Sequence, residues 1–391
     1  MATIVIFLLI LTLLVLVHEF GHFWTARKFA MRVYEFGMGF PPRAIGVYKD
    51  PATGKWVVVK GRGKITLSET VGGEERREEF PTTLYSLNWL PIGGFCKIKG
   101  ESGEDGAAPD SFAYHRPGKR LVVLVAGVAM NILLAAALLS LGFMIGLPTA
   151  ISDGVDPKAV TLEPVRTVVQ QVLADSPAES AGFKAGDRVL ALDAEIVASA
   201  TSLTEKIKAS GIVEHIIQVE RDGELLSYTV SPSIMPGGDD IPRLGLHLAD
   251  VAVIRYPWYQ AIPKGFLAAG TGLINIFVSF YLLLKNLLLG NGLIFDVSGP
   301  VGIASVVGES ARLGFNYLLN VTAMISLSLA AINILPIPAL DGGRALFVTI
   351  EKIFRRPVPM KYEQLAHTIG FLLLMALIVV VTARDIAGLV R

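Results

Sequence analysis

The chain has 391 residues, 52% of them hydrophobic and only 18% charged, with 35 Lys and Arg against 34 Asp and Glu. That apolar excess excludes an ordinary soluble domain, and a net charge of +1 offers no electrostatic footprint for a nucleic-acid partner. The single cysteine, Cys96, excludes an intramolecular disulfide and a thiolate-rich zinc site.

The first element is an uncharged run, TIVIFLLILTLL, leading into VLVHEFGHFW (Val15–Trp24). A transmembrane helix needs about 20 apolar residues, and Ala2–Trp24 supplies them. The run lacks the basic start and small-residue cleavage site of a secretory signal, so it reads as a retained span. Ionisable side chains in such a span are costly and point to function. His18 and His22, four residues apart, share one helix face and can bind one ion. Glu19 lies beside them, placed to take a proton from a water that the ion polarises. Liganded neutral imidazoles are also cheaper to bury than charged ones, which makes this HExxH pattern tolerable at membrane depth.

The stretch 34–115 is Gly-rich and mixed. KWVVVK, KITLSE and LYSLNWLPIGGFCKIKGE alternate as strands do and read as hairpins. EFGMGFPPRAIG and LPIGGFCKIKG are too apolar for free loops and are expected to dip into the membrane interface or line a cavity. A second span, Leu121–Leu147, carries the lone amide of Asn131.

From Thr161 to Val253 charges return between short β-like runs. VRTVVQQV and DRVLALDAEIV read as strands, SLTEKIKAS as a short helix opened by Ser202, and HIIQVERDGELLSYTV as a hairpin with Asp-Gly at its turn. SPAESAGFKAGDRVLALD (Ser176–Asp193) resembles a PDZ domain, in which a short helix and a Gly-Asp turn lead into a core strand. Such domains take extended peptide ends at a sheet edge; a small β-rich domain with no ligand is the plain alternative.

Two further spans follow, Leu313–Leu340 and Leu365–Ala383, together with an apolar run at Phe266–Leu284. Arg27, Lys28, Arg32, Arg43, Arg116, Lys119 and Arg120 crowd the connection between spans one and two. Arg344, Lys352, Arg355, Arg356 and Lys361 follow span three. By the positive-inside rule both connections are cytoplasmic, and the N-terminus and the connection between spans two and three are outside. An even number of crossings must then separate spans two and three. The run at 266–284 is therefore expected to lie in or against the outer interface, with Lys264 and Lys285 at its ends.

Zinc wants a third protein ligand and an open position. No suitable His or Glu follows Trp24 in a helical context. Asp341, in NILPIPALDGGRALF, lies at the cytoplasmic end of span three, on the same side as HEFGH. Pro336 and Pro338 break the helix there, and Gly342-Gly343 frees the backbone to aim the carboxylate. The other reading makes Asp341 a cap for the helix GGRALFVTIEKIF. Asn131 and Asn333 are lone amides of the kind that hydrogen-bond a neighbouring helix. His367, at the start of span four, reads as interfacial rather than as a ligand.

HEFGH, ALDGG and the intervening PDZ-like stretch together resemble the site-2 protease family of intramembrane zinc metalloproteases, and within it the RseP-type regulators of sigma-E. LPIGGFCKIKGE, SGPVGIA (Ser298–Ala304) and NILPIPALDGGR extend the resemblance over nearly the whole chain. It implies a polytopic α-helical membrane protein with four transmembrane helices, an extracytoplasmic PDZ-like α+β domain and cytoplasmic membrane-associated β-hairpins. The segments are then 1–30 with HEFGH, 31–118 with the hairpins, 119–148, the PDZ-like 161–253, an outer helix and connector 260–312, 313–344 with LDGG, 345–364, and 365–388. By the same resemblance Glu19 is the catalytic base, His18, His22 and Asp341 hold Zn2+, and Asn333 lines the site near the scissile strand. The implied substrates are transmembrane segments of single-span proteins, such as anti-sigma factors or signal-peptide remnants, in a bacterial inner membrane. AGVAMN has Val128 where the family often has a proline, one PDZ-like domain stands where the best-known relative has two, and the cytoplasmic insert near 48–83 is longer. A scaffold with a structural zinc would have no use for Glu19, and a metal transporter is disfavoured by the lack of repeated halves.

Overall fold

A lipid-facing backbone has no water to bond, so the long uncharged runs satisfy their own peptide groups as helices. In the computed structural model the elements are, in chain order, α1 (Ala2–Lys28), β1 (Val33–Lys49), β2 (Trp56–Lys60), β3 (Leu84–Ile98), α2 (Pro117–Ile145), β4 (Leu147–Ile151), β5 (Val160–Thr161), β6 (Arg166–Val172), α3 (Pro177–Ala181), β7 (Arg188–Leu192), β8 (Glu195–Ile196), α4 (Ala200–Ser210), β9 (His215–Arg221), β10 (Glu224–Val230), β11 (Leu246–Arg255), α5 (Trp258–Leu288), α6 (Pro300–Leu313), α7 (Phe315–Ile334), α8 (Asp341–Phe354) and α9 (Met360–Val390). The structure describes residues 2–61, 80–101, 106–151, 156–173, 176–221, 223–234, 241–290, 299–356 and 358–390, with the backbone alone at 91–92 and 388–390. KITLSE, at 64–69, lies outside them. The chain forms two units, 1–139 with 264–391, and 140–263.

Among the described residues five helices, α1, α2, α5, α7 and α9, are long and apolar enough to cross a membrane. The first and fourth expected spans fall within α1 and α9, and the second lies in α2 except at its end, where the helix stops at Ile145 and Leu147 opens β4. The third is shorter than the sequence suggested: α7 stops at Ile334, because Pro336 brings no N–H to a continuing helix, and Gly314 separates its start from α6. The apolar run at 266–284 belongs to a longer helix, α5, of 31 residues.

The first unit holds a three-stranded sheet in the order β2-β1-β3. KWVVVK forms β2 as expected. LYSLNWLPIGGFCKIKGE does not make a hairpin of its own, however: it is one long bent strand, β3. Val33–Met38 of β1 meets both ends of that strand, so that Gly37 is paired with Phe95 and with Ser86. The bends are made at Gly39 (φ +77°) and Gly93 (φ +73°), conformations that glycine enters at no steric cost. EFGMGFPPRAIG and LPIGGFCKIKG are thus strand rather than loop. Phe23, Ala26, Met31, Val33, Ile98, Phe112, Val123, Leu124 and Val348 form one buried cluster, which fixes the sheet against α1, α2 and α8.

The second unit is an eight-stranded sheet whose path is β10-β9-β7-β6-β11-β4, with β5 on β11 and β8 on β7. VRTVVQQV, DRVLALDAEIV and HIIQVERDGELLSYTV supply the strands expected of them; Asp222 of the turn is outside the described residues. The unit is wider than 161–253 because β4 adds an outer strand to β11, from Leu147 opposite Ile254 to Ile151 opposite Asp250. Val169, Phe183, Leu203, Ile217 and Val219 lie in its core. Ser199, not Ser202, caps α4. The Ser199 hydroxyl accepts the Ser202 N–H at 3.1 Å and the Ser202 hydroxyl accepts the Ser199 N–H at 3.1 Å, a reciprocal box that moves the helix start three residues upstream of the expected cap. In the Gly-Asp turn, buried Asp187 is held by the Arg221 guanidinium at 2.6 and 2.7 Å.

Candidate active site

Helices α1 and α2 approach closely because Gly21 faces the backbone of α2 and Gly127 faces the two imidazoles of α1. A Cβ on Gly21 would stand 2.4 Å from the Ala126 carbonyl oxygen, and one on Gly127 would stand 2.5 Å from His22 Nε2 and 2.6 Å from His18 Nε2. Small residues at a helix crossing allow this approach, and here the two imidazoles occupy the space the missing side chain leaves.

His18 and His22 are each 7% exposed. Their Nε2 atoms are 3.1 Å apart. Asp341 Oδ2 completes the triangle, 2.8 Å from His18 Nε2 and 3.3 Å from His22 Nε2. Asp341 is the first residue of α8, and the cap is Leu340, which makes no side-chain cap bond. Its carboxylate thus turns to the histidines rather than to its own helix. A Cβ at Gly342 would be 2.1 Å from the Leu335 carbonyl oxygen and one at Gly343 2.4 Å from that of Ile337. Only glycine lets α8 begin so close under the preceding loop.

A zinc ion bound tetrahedrally at about 2.0–2.1 Å from its ligands leaves those ligands about 3.3 Å apart. The triangle of two neutral nitrogens and one carboxylate oxygen fits that requirement with little expansion. The opposite ring nitrogens are also engaged. His22 Nδ1 donates to the Val123 carbonyl at 2.8 Å, which leaves Nε2 as the ligating lone pair. The Asn131 amide, fully buried, is 3.4 Å from His18 Nδ1. A half-turn of that amide presents its oxygen to the Nδ1–H of a ligating His18.

Glu19 stands beside the triangle and against β3, where a Cβ built on Gly94 would lie 3.9 Å from its Cγ. A cavity of about 160 Å³ opens between these groups, lined by His18, Glu19, Asn131, Asn333 and Asp341 together with apolar residues. The structure therefore brings together the five residues that the family resemblance assigned to the site: His18, Glu19, His22, Asn333 and Asp341. Asn131 joins them, while His367 stays outside the metal triangle. The sequence reading missed Gly127. The signal for Gly127 was present, as a glycine one helical turn before Asn131 in AGVAMN. On the rim, Arg344 of α8 forms an ion pair with Glu101, just past β3.

A model of peptidase family M50 matches residues 6–55 and 71–377. A protein of Clostridium perfringens named as a zinc metalloprotease is 32% identical over 98% of this chain and 98% of its own. The zinc metalloprotease RasP of Oceanobacillus iheyensis is 28% identical over 100% of both chains. Among solved structures, the PDZ domain of an SdrC-like protein from Listeria innocua is 20% identical, covering 21% of this chain and 92% of that one at a TM-score of 0.19.

Proposed function

The chain belongs to peptidase family M50, the site-2 proteases, and from that premise we propose that this multi-pass membrane zinc metalloendopeptidase cuts its substrates inside their transmembrane segments. One observation carries the proposal: the HEFGH residues sit within α1, a helix apolar enough to span, and meet Asp341 just past the end of a second such helix, α7.

His18, His22 and Asp341 would hold the zinc. When bound, it supplies Lewis-acid polarisation of the scissile carbonyl and acidifies the attacking water. Glu19 takes the proton from that water and returns it to the leaving amide nitrogen. Asn333 positions the substrate from the cavity wall. A transmembrane helix has its carbonyls tied in its own hydrogen bonds, so the substrate must unwind before attack. Strand β3 lies at the edge of its sheet beside Glu19 and offers that unwound stretch a partner.

The basic residues flanking α1, α2, α7 and α9 support a bacterial inner-membrane placement, with the metal site toward the cytoplasm and 140–263 outside. In this reading α5 lies along the outer interface, and the PDZ-like unit filters substrates by their exposed peptide ends. The substrates are single-span proteins already trimmed outside.

Reconstitution with a trimmed single-span protein is expected to yield new peptide ends inside its apolar segment, read by mass spectrometry. Ends confined to its soluble flanks would overturn the intramembrane reading. Topology is checked separately, by labelling introduced cysteines in a Cys96→Ser background. Positions 60 and 352 are expected to label from the cytoplasmic side, and 201 and 288 from outside. Cytoplasmic labelling at 288 would mean that α5 crosses the bilayer.

A further inference from the structure

We propose that His367 is a positioning residue for the metal centre, holding the loop before Asp341 so that the carboxylate stays in the ligand set. The inference rests on reading Asp341 as a ligand.

The loop between α7 and α8 runs through Leu335-Pro336-Ile337-Pro338-Ala339-Leu340. Ala339 adopts φ +78°, a left-handed conformation that costs an L-residue about 1–2 kcal/mol. Such a conformation persists only where its surroundings hold it. The loop's own backbone bonds are short turns, Ile337 N–H to Leu335 O and Leu340 N–H to Ile337 O. The restraint from outside the loop comes from α9. The Ala339 N–H donates to His367 Nδ1 at 2.8 Å. One turn further along α9, Gly370 is packed so close that a Cβ there would stand 2.5 Å from the Pro338 carbonyl oxygen. The ring centroids of His367 and Phe347, on α8, are 5.7 Å apart.

A backbone N–H can only donate, so His367 Nδ1 must be the acceptor and the ring proton sits on Nε2. Nε2 is buried and has no hydrogen-bond partner among the described residues. This histidine therefore offers one polar contact, and that contact goes to the residue two before Asp341. The motif reading absorbed NILPIPALDGGR and left His367 aside as interfacial, because 28 residues separate it from Ala339 and no spacing rule joins them.

Three substitutions separate the acceptor from the ring. His367→Phe keeps the ring and its contact with Phe347 but removes the acceptor. His367→Asn places an amide oxygen where Nδ1 was, and His367→Gln places one where Nε2 was. Zinc release from purified protein to a chelating dye is expected to be about tenfold faster in His367→Phe and His367→Gln than in wild type. His367→Asn should stay within about twofold of wild type. The visible spectrum of the Co2+-loaded protein should change in the same two variants and be kept in the Asn variant. If the Phe variant does not fold, the Asn and Gln pair still decides. Wild-type release in both His367→Phe and His367→Gln, or equal acceleration in all three variants, overturns the proposal. Asp341→Ala is measured beside them: zinc retained there overturns the ligand reading itself, whereas zinc lost there with His367→Gln unchanged overturns only the role of His367.

Discussion

Glu19→Gln is expected to keep its zinc at wild-type stoichiometry while turnover of a single-span substrate falls about a thousandfold. General-base catalysis is typically worth 10²–10⁴, and a thousandfold corresponds to about 4 kcal/mol of transition-state stabilisation. Glutamine preserves the length and shape of the side chain, so geometry and packing stay. It lacks a basic oxygen that can take and return a proton. Glu19 is not among the three side chains whose donor atoms converge, which is why metal content should be indifferent to the change. Metal analysis and turnover are measured on the same preparation. Wild-type turnover in the variant would remove Glu19 from the chemistry, and lost zinc would make it part of the metal's support.

Gly127→Ala should strike the metal ligands directly. The added carbon would lie 2.5 and 2.6 Å from the two Nε2 atoms, well inside contact distance. Overpacking a tight core costs roughly 1–3 kcal/mol. Here the atoms that must move are the ligating ones, so zinc affinity is expected to fall by about a hundredfold. Gly118→Ala, on the same helix with open space around its α-carbon, should leave affinity unchanged. A competitive zinc titration compares the two. Equal affinity in Gly127→Ala and wild type would mean that the α1–α2 crossing is looser than this structure has it.

The local chemistry of the site could be read from residues close in sequence. His18, Glu19 and His22 declare themselves through helical spacing, and Asp341 through the prolines and glycines around it. The Ser202 error shows the limit of such reading: Ser199 and Ser202 are both good caps, and the choice depends on which one's neighbour returns the bond. Long-range closures were out of reach. Nothing local says that β3 bends at Gly93 to meet β1 twice, since LPIGG reads equally well as a turn between two short strands. Gly127 is functional only because α1 happens to cross there, and the same residue against solvent would be unremarkable. The outer strand β4 was hidden by its position in the tail of an apolar run, where hydropathy reads it as the end of a span.

The position of the histidines along α1 bears on what becomes of the cut products. His18 comes sixteen residues after Ala2, or about 24 Å along a helix rising 1.5 Å per residue. In the proposed orientation, a hydrocarbon layer of about 30 Å measured from Ala2 would leave roughly 6 Å on the cytoplasmic side, the length of about four helical residues. A substrate severed at that depth splits into two unequal parts. The outer part retains most of its greasy stretch and stays dissolved in lipid. The inner part keeps only a few apolar residues, each buried CH₂ worth about 0.8 kcal/mol, too little for durable anchorage. Under the proposed function, off-centre placement of the blade would turn a tethered cytosolic domain into a diffusible one, and the cut itself would be the release.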